Sequence, residues 1–180
     1  MKKILILLIA AVLSACANHA PLPTVAGVDA KRYMGDWYEI GKLPNRFQKQ
    51  CVANTIANYQ LVSPTEITVT NICQTPDGKT EKVIGVAHPV DGSNNTKLRV
   101  SFFRPFYGNY WVLDLGANYE WVLVGEPSRD YAWVLSRTPQ LPDAVYAQLL
   151  AKASSLGFND KAFEKTPQTS LLQNNLPAKP

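Results

Sequence analysis

Few side chains in this 180-residue chain have the types and spacing to do chemistry. They are Cys16, Cys51 and Cys73, the two histidines His19 and His88, and Glu39, a carboxylate between Tyr38 and Ile40. Neither histidine has a second ligand at metal spacing, so no metal site is expected and no cofactor is implied. A nucleophilic hydrolase is not written either, because no Gly-x-Ser-x-Gly elbow and no evident Ser/His/Asp set occur. Lys and Arg total 18 against 14 acids, a net charge of +4 with no basic stripe, which excludes a nucleic-acid footprint. Hydrophobic residues make up 46% and aromatics 10%, enough to bury a core and too many for a mainly disordered chain.

The first fifteen residues read as a leader. Lys2 and Lys3 precede an apolar run over 4–13, shorter than the roughly 20 residues a membrane span needs and matching the three-part form of a secretory signal over 1–15. Leu13-Ser14-Ala15-Cys16 then resembles the lipobox of bacterial lipoproteins. That resemblance implies that the Cys16 thiol receives a diacylglycerol and becomes the N-terminus, and Ala17 after it resembles outer-membrane sorting. Each buried acyl carbon contributes about 0.8 kcal/mol, so the acyl chains make the membrane a partner. Residues 16–28 are expected to be the lipidated cysteine and a tether, and 167–180 a flexible tail. Export also bears on Cys51 and Cys73, the pair left once Cys16 is modified. An oxidising compartment favours a disulfide between them, contributing about 3 kcal/mol in the chain-entropy model. Sequence alone does not show that their Cβ atoms meet.

The elements that must position these side chains are short strands. Thr55, Ala57, Tyr59 and Leu61 alternate with polar neighbours, and Leu98, Val100 and Phe102 alternate with Arg99 and Ser101. Turn chemistry separates such runs, as at Thr75-Pro76-Asp77-Gly78. The expected strands cover 35–43, 55–61, 66–73, 82–87, 97–103, 110–115, 119–125 and 131–137. Eight antiparallel strands joined up-and-down remove their edges by closing into a barrel that can hold one small ligand; a sandwich with a solid core fits the same composition. Pro142 and Asp143 open a helix whose apolar residues Val145, Leu149, Ala153 and Leu156 share one face, and Gly157 ends it. That stripe is expected to pack on the outer wall, with a short strand after it over 161–165.

Three separated motifs resemble the lipocalin family. Gly35-Asp36-Trp37 resembles the Gly-x-Trp that opens the first lipocalin strand, after a short helix over 29–33. Leu115-Gly116-Ala117-Asn118-Tyr119 sits where the family carries an Asp-x-x-Tyr turn, with Asn118 in the acidic place, and Trp133 to Pro139 resembles the last motif with its arginine, Arg137. Ser101-Phe102-Phe103, Phe106-Tyr107-Gly108 and Arg129-Asp130-Tyr131 are similar to the bacterial lipocalins in particular. The resemblance spans 29–166. It implies a calyx, open at one end, that binds, stores or transports a hydrophobic small molecule such as a fatty acid or lysophospholipid, in a protein anchored to the outer membrane and facing the periplasm. The family also contains a few isomerases and de-epoxidases, so the alternatives are a lipid-acting enzyme or a structural stress lipoprotein with a filled barrel; a non-enzymatic carrier is the leading expectation.

The motif residues also have a physical reading. Gly35 admits the backbone close beneath the indole of Trp37, and the Arg137 guanidinium laid over that indole gains about 0.5–2 kcal/mol of cation–π attraction, a plug for the barrel floor. With Trp37 inward, alternation places Glu39 and Gly41 inward too. Gly41, Gly85 and Ala87 are small where a packed core wants bulk, which leaves room. Tyr59, Phe102 and either Tyr110 or Trp111 then supply apolar walls. Glu39 serves either a ligand head group or a satisfied internal network. Residues 102–107 are expected to form an aromatic loop at one barrel end, touching a membrane or ligand or packing beneath itself.

Overall fold

The computed structural model describes residues 19–169; the leader, Cys16 and residues 170–180 lie outside them. A single-turn helix α1 (Ala30–Tyr33), capped by the Asp29 carboxylate accepting from the Lys31 and Arg32 amides at 2.9 and 3.2 Å, leads into eight long strands. These are β1 (Gly35–Lys42), β2 (Ala53–Ser63), β3 (Glu66–Gln74), β4 (Thr80–Pro89), β5 (Lys97–Phe103), β6 (Phe106–Leu115), β7 (Trp121–Gly125) and β8 (Ala132–Ser136). Each pairs antiparallel with the next, and β1 pairs with both β8 and β2, so the sheet closes as an up-and-down barrel. The aromatic stretch is not a loop: Phe102 and Phe103 end β5 and Phe106 begins β6, leaving a hairpin tip at Arg104-Pro105.

Two apolar clusters separate inside from outside. Trp37, Tyr59, Val69, Ala87, Leu98 and Val112 belong to the cluster inside the barrel. Ile40, Leu123, Val134 and Ala132 point the other way and meet Tyr146, Leu149 and Ala153 of helix α2 (Asp143–Ser155). The helix stops on a Schellman turn: Gly157 takes φ +89°, its amide donates to Ser154 O at 2.9 Å, and the Phe158 amide donates to Ala153 O at 3.1 Å. The disulfide joins Cys51, ahead of β2, to Cys73 in β3, with Cα atoms 5.5 Å apart.

Both expected ends of the domain shift outward. The described part of the tether, from residue 19, is docked: Leu22 and Val28 are buried, and the Val25 amide donates to Val112 O at 3.0 Å. Apolar burial and a sheet-like bond hold a segment that composition alone marks as loose. At the other end, strand β9 (Glu164–Lys165) pairs with Gly41 and Lys42 of β1, where β1 and β2 have parted. Residues 167–169 continue that strap rather than starting a tail. Gln168 Nε2 donates to Glu39 O and Thr55 O at 2.8 and 3.0 Å, and the Asn54 amide donates to Pro167 O at 2.8 Å. The parted strands need these partners, since unpaired buried backbone groups are costly.

Candidate functional site

The closed end is built by α1 and three loops. Trp37 is completely buried; its Nε1 donates to Tyr33 O at 2.9 Å, and the Arg137 guanidinium lies 3.9 Å from the indole centroid. Arg137 also donates to Asp36 O at 2.8 Å and Arg32 O at 2.6 Å, tying the end of β8 to α1 and β1. Gly35 sits beside it at φ +91°, a conformation that side chains rarely adopt. Tyr119, in the β6–β7 turn, accepts from the Asp29 amide at 2.8 Å and carries Arg32 over its ring at 4.1 Å. The expected floor residues Gly35, Trp37 and Arg137 therefore meet. Beside them a pocket of about 20 Å³ is bounded by Val28, Tyr33, Leu98 and Val112, which belong to the buried cluster that packs the lower barrel.

Three tyrosine hydroxyls meet inside the barrel. Tyr33 and Tyr110 share a bond of 2.7 Å, and Tyr59 donates to Tyr110 at 3.0 Å. Burial pushes the Tyr59 hydroxyl up to about 12. The Tyr33 and Tyr110 hydroxyls move well above the ordinary tyrosine range for the same reason, reinforced by neighbouring tyrosines. All three stay protonated at any physiological pH.

The upper barrel is open. Cross-strand rows put Ala57, Asn71 and Val83 on the same inward face as Trp37, and Val100 and Gly108 on that of Ala87. Although they line the inside of a closed barrel, Val83 and Gly108 are exposed and Ala57, Asn71, Val100 and Tyr110 are half-buried. Solvent therefore enters from the end bearing the β1–β2, β3–β4, β5–β6 and β7–β8 loops. A separate groove of about 440 Å³, lined by Ile40, Leu141, Tyr146 and Pro167 among others, lies outside the wall beside α2 and is not part of this cup.

Glu39, Tyr59, Gly85, Ala87, Phe102 and Tyr110 take inner positions as expected, but the small residues do not all make room. A Cβ at Gly85 would lie 2.6 Å from the Phe102 ring, so that ring already fills the space. Gly41 faces outward: the register between β1 and β8 shifts between Glu39 and Gly41, and an added Cβ would collide with the Tyr146 hydroxyl of α2. The bulge inverts the alternation on which an inward Gly41 depended. Trp111 is outside as well, opposite Gly125, with the Lys97 ammonium 4.1 Å from its ring centroid; Tyr110 is the inward member of that pair.

The same bulge turns Lys42 inward, a residue that strict alternation misses; the isolated Gly41 within a strand is the signal for it. Lys42 Nζ bonds Glu39 Oε1 at 3.3 Å, and Glu39 also accepts from the Thr166 hydroxyl at 2.6 Å and Gln48 Nε2 at 2.8 Å. Gln48 Oε1 in turn accepts from Trp133 Nε1 at 3.0 Å and Asn45 Nδ2 at 2.7 Å. Glu39 is thus a member of a satisfied network near the rim. Two further inner-face atoms, Thr55 Oγ1 and Asn71 Oδ1, are buried with no hydrogen-bond partner. Among the described residues no group of three His, Cys, Asp or Glu side chains is arranged to hold a metal ion.

A lipocalin-like domain model matches residues 28–168. Over 153 residues the chain is 39% identical to the outer membrane lipoprotein Blc of Escherichia coli strain K12, covering 83% of this chain and 86% of that one. Temperature-induced lipocalin-1 of Arabidopsis thaliana is 38% identical over 156 residues, covering 82% and 83%, and mouse apolipoprotein D is 33% identical over 160, covering 82% and 81%. Among solved structures, insecticyanin from the tobacco hornworm Manduca sexta superposes with a TM-score of 0.69 at 21% identity, covering 84% of this chain and 87% of that one, a likeness of fold.

Proposed function

The chain belongs to the lipocalin family, and we propose that it is an acyl-anchored outer-membrane protein whose cup binds and carries a single-chain lipid, a fatty acid or lysophospholipid. The observation that carries this reading is the contrast within one barrel: a sealed, packed floor below, and above it an inner surface that solvent reaches. Ala57, Val100, Gly108 and the Phe102 ring offer an apolar wall, and Thr55 Oγ1 and Asn71 Oδ1 offer unpartnered polar atoms to orient a head group. A chain of a dozen carbons gains about 10 kcal/mol gross at about 0.8 kcal/mol each, against an association cost of about 4–15 kcal/mol. Useful affinity therefore depends on such orienting bonds.

The anchor and location rest on the leader over 1–15, the lipobox ending at Cys16 and the names of the bacterial relatives. Carriage is favoured over catalysis because Cys51 and Cys73 are joined and Glu39 is held by Lys42, so neither these thiols nor this carboxylate is free to react. Native mass spectrometry of protein extracted from its own membrane tests the reading. Added mass of a fatty acid or lysolipid on the folded protein is the expected result. Its absence, together with no uptake of a fluorescent fatty acid, would leave a filled barrel without a ligand.

A further inference from the structure

The large apolar side chains left exposed are unevenly distributed. Phe103 and Phe106, 75% and 71% exposed, stand at the β5–β6 tip with their rings stacked 6.2 Å apart. Phe47 and Val52 of the β1–β2 loop and Val83 and Ile84 of β4 are exposed toward the same end, whereas Leu61 and Val62 are the exposed pair near the other. An apolar patch of this kind is unusual on a surface that meets only water.

Charge is divided along the same axis. Arg46, Lys49, Lys79, Lys82 and Arg104 are exposed on the first three open-end loops and the strand ends beside them, against Asp77 and Glu81. In the fourth loop, Glu126 accepts from the Ser128 and Asp130 amides at 2.9 Å, and Glu126 and Asp130 bring two negative charges to this end against Arg129, which leaves the cations of the open end in excess. At the closed end Asp29, Asp36, Glu66, Asp91 and Glu120 help to outnumber the cations. Aromatic rings flanked by cations suit the interface of an anionic bilayer, where each Lys or Arg near the surface is worth about 1 kcal/mol.

The course of the N-terminal segment agrees. Ala20 O accepts from Arg129 Nη2 at 2.6 Å in the β7–β8 loop, and the chain then runs down the wall to Val28, whose amide donates to Asn94 O near the floor. Cys16 lies four residues before Ala20, within about 14 Å of it even in a fully extended chain.

We propose that the open end of the barrel is a docking face for an anionic phospholipid surface, with Phe103 and Phe106 in the interfacial layer, the rim cations over lipid phosphates, and the mouth facing the bilayer. The tether geometry rests on the acyl-anchor reading; the apolar and basic rim does not. In this orientation an amphiphile passes between bilayer and cup without crossing water.

Photo-crosslinking of the full chain, expressed with its leader and reconstituted in phosphatidylglycerol–phosphatidylcholine vesicles, tests it. The photoreactive residue is placed as Phe103→p-benzoylphenylalanine or, at the other end, Val62→p-benzoylphenylalanine. Phospholipid adducts are expected from position 103 in clear excess over 62; equal yields, or more from 62, overturn the proposal. Intact mass separately reports whether Cys16 is acylated. If it is not, the anchor reading fails, and the docking face is then judged on vesicles added to the soluble protein: adducts at 103 sustain it and their absence refutes it. In that added-vesicle format Lys82→Gln and Arg104→Gln should each lower binding to phosphatidylglycerol-containing vesicles about five-fold, with no change on pure phosphatidylcholine. Unchanged binding for both variants also refutes the proposal.

Discussion

Replacing Arg137 by methionine separates what the guanidinium contributes from what its hydrocarbon stem contributes. Met keeps most of the stem's packing over the indole. It loses the cation–π contact at 3.9 Å and the bonds to Asp36 O at 2.8 Å and Arg32 O at 2.6 Å. Ring attraction is worth about 0.5–2 kcal/mol, and each bond from a charged donor about 1.5 kcal/mol at the low end that suits a half-buried arginine. Arg137→Met should therefore destabilise by about 3.5–5 kcal/mol, a fall in Tm of about 10–15 °C for a domain of this size.

The assay is urea unfolding followed by far-ultraviolet circular dichroism with the disulfide intact. A double-mutant cycle with Trp37→Phe isolates the ring term; the expected coupling is about 1 kcal/mol, because phenylalanine retains a weaker π face. Arg137→Lys should recover part of the loss, since an ammonium keeps the charge above the ring but does not bridge two carbonyls as a planar fork does. A loss below about 0.5 kcal/mol for Arg137→Met, the range of an ordinary surface substitution, would show that the floor is held by apolar packing alone. A vanishing coupling would remove the cation–π contact from the account while leaving the carbonyl bonds.

Alkaline stability should fall in a defined window. The folded chain holds the Tyr59 proton up to about 12 while the unfolded chain releases it near the ordinary value of 10.0, so stability declines as pH rises from 10 toward 12, by about 3 kcal/mol from this residue. Tyr33 and Tyr110 act in the same direction. Urea unfolding at pH 8 and pH 11 measures the decline, and Tyr59→Phe should make it shallower; a curve flat over this window would refute the burial account. Cys73→Ser opens a loop of sequence separation 22 and should cost about 3 kcal/mol, read as a lower urea midpoint than wild type under non-reducing conditions. Gly108→Phe should cut fluorescent fatty-acid uptake about ten-fold or more with little change in Tm. An added Cβ there meets nothing nearer than Val100 O at 4.0 Å, so the ring enters the open cup, and unimpaired uptake would place the ligand elsewhere.

The barrel was legible because alternation and turn chemistry are local. Strands β1 to β8 lie on the runs that period two and the Pro/Gly/Asn turns mark, and Trp37 and Tyr59 face inward as expected, while the choice between Tyr110 and Trp111, left open by the sequence, falls to Tyr110. The floor was legible for a different reason: Gly35, Trp37 and Arg137 stand in motifs that resemble those of the lipocalin family, and that resemblance rather than periodicity brings them together. What sequence did not show was set by contacts between distant segments. The short strand expected over 161–165 is found only at Glu164–Lys165, and no periodicity marks 166–169 as its continuation, because their order comes from the Glu39, Asn54 and Thr55 groups uncovered where β1 and β2 part. Room in the cup was misplaced for the same reason, since whether a glycine opens space depends on the neighbour across the sheet: Phe102 covers Gly85, while Gly108 has none so close.

The register shift beside Ile40 links the outside of the barrel to its inside. Without it, alternation carries Gly41 inward and Lys42 outward, leaving the Glu39 carboxylate without its cation in an apolar wall, an arrangement costing several kcal/mol. With it, Ile40 and Gly41 both meet α2, where Gly41 alone leaves space for the Tyr146 hydroxyl, and Lys42 turns in to Glu39. Helix docking and charge neutralisation at the rim are therefore two consequences of one extra residue in β1. The same shift brings Gly41 and Lys42 to the edge that β9 joins, and Thr166, one residue beyond β9, completes the Glu39 network. The wall of the cup is thus closed at its weakest seam by chain that arrives only after the helix, so the rim around Glu39 forms only when α2 and the strap are in place.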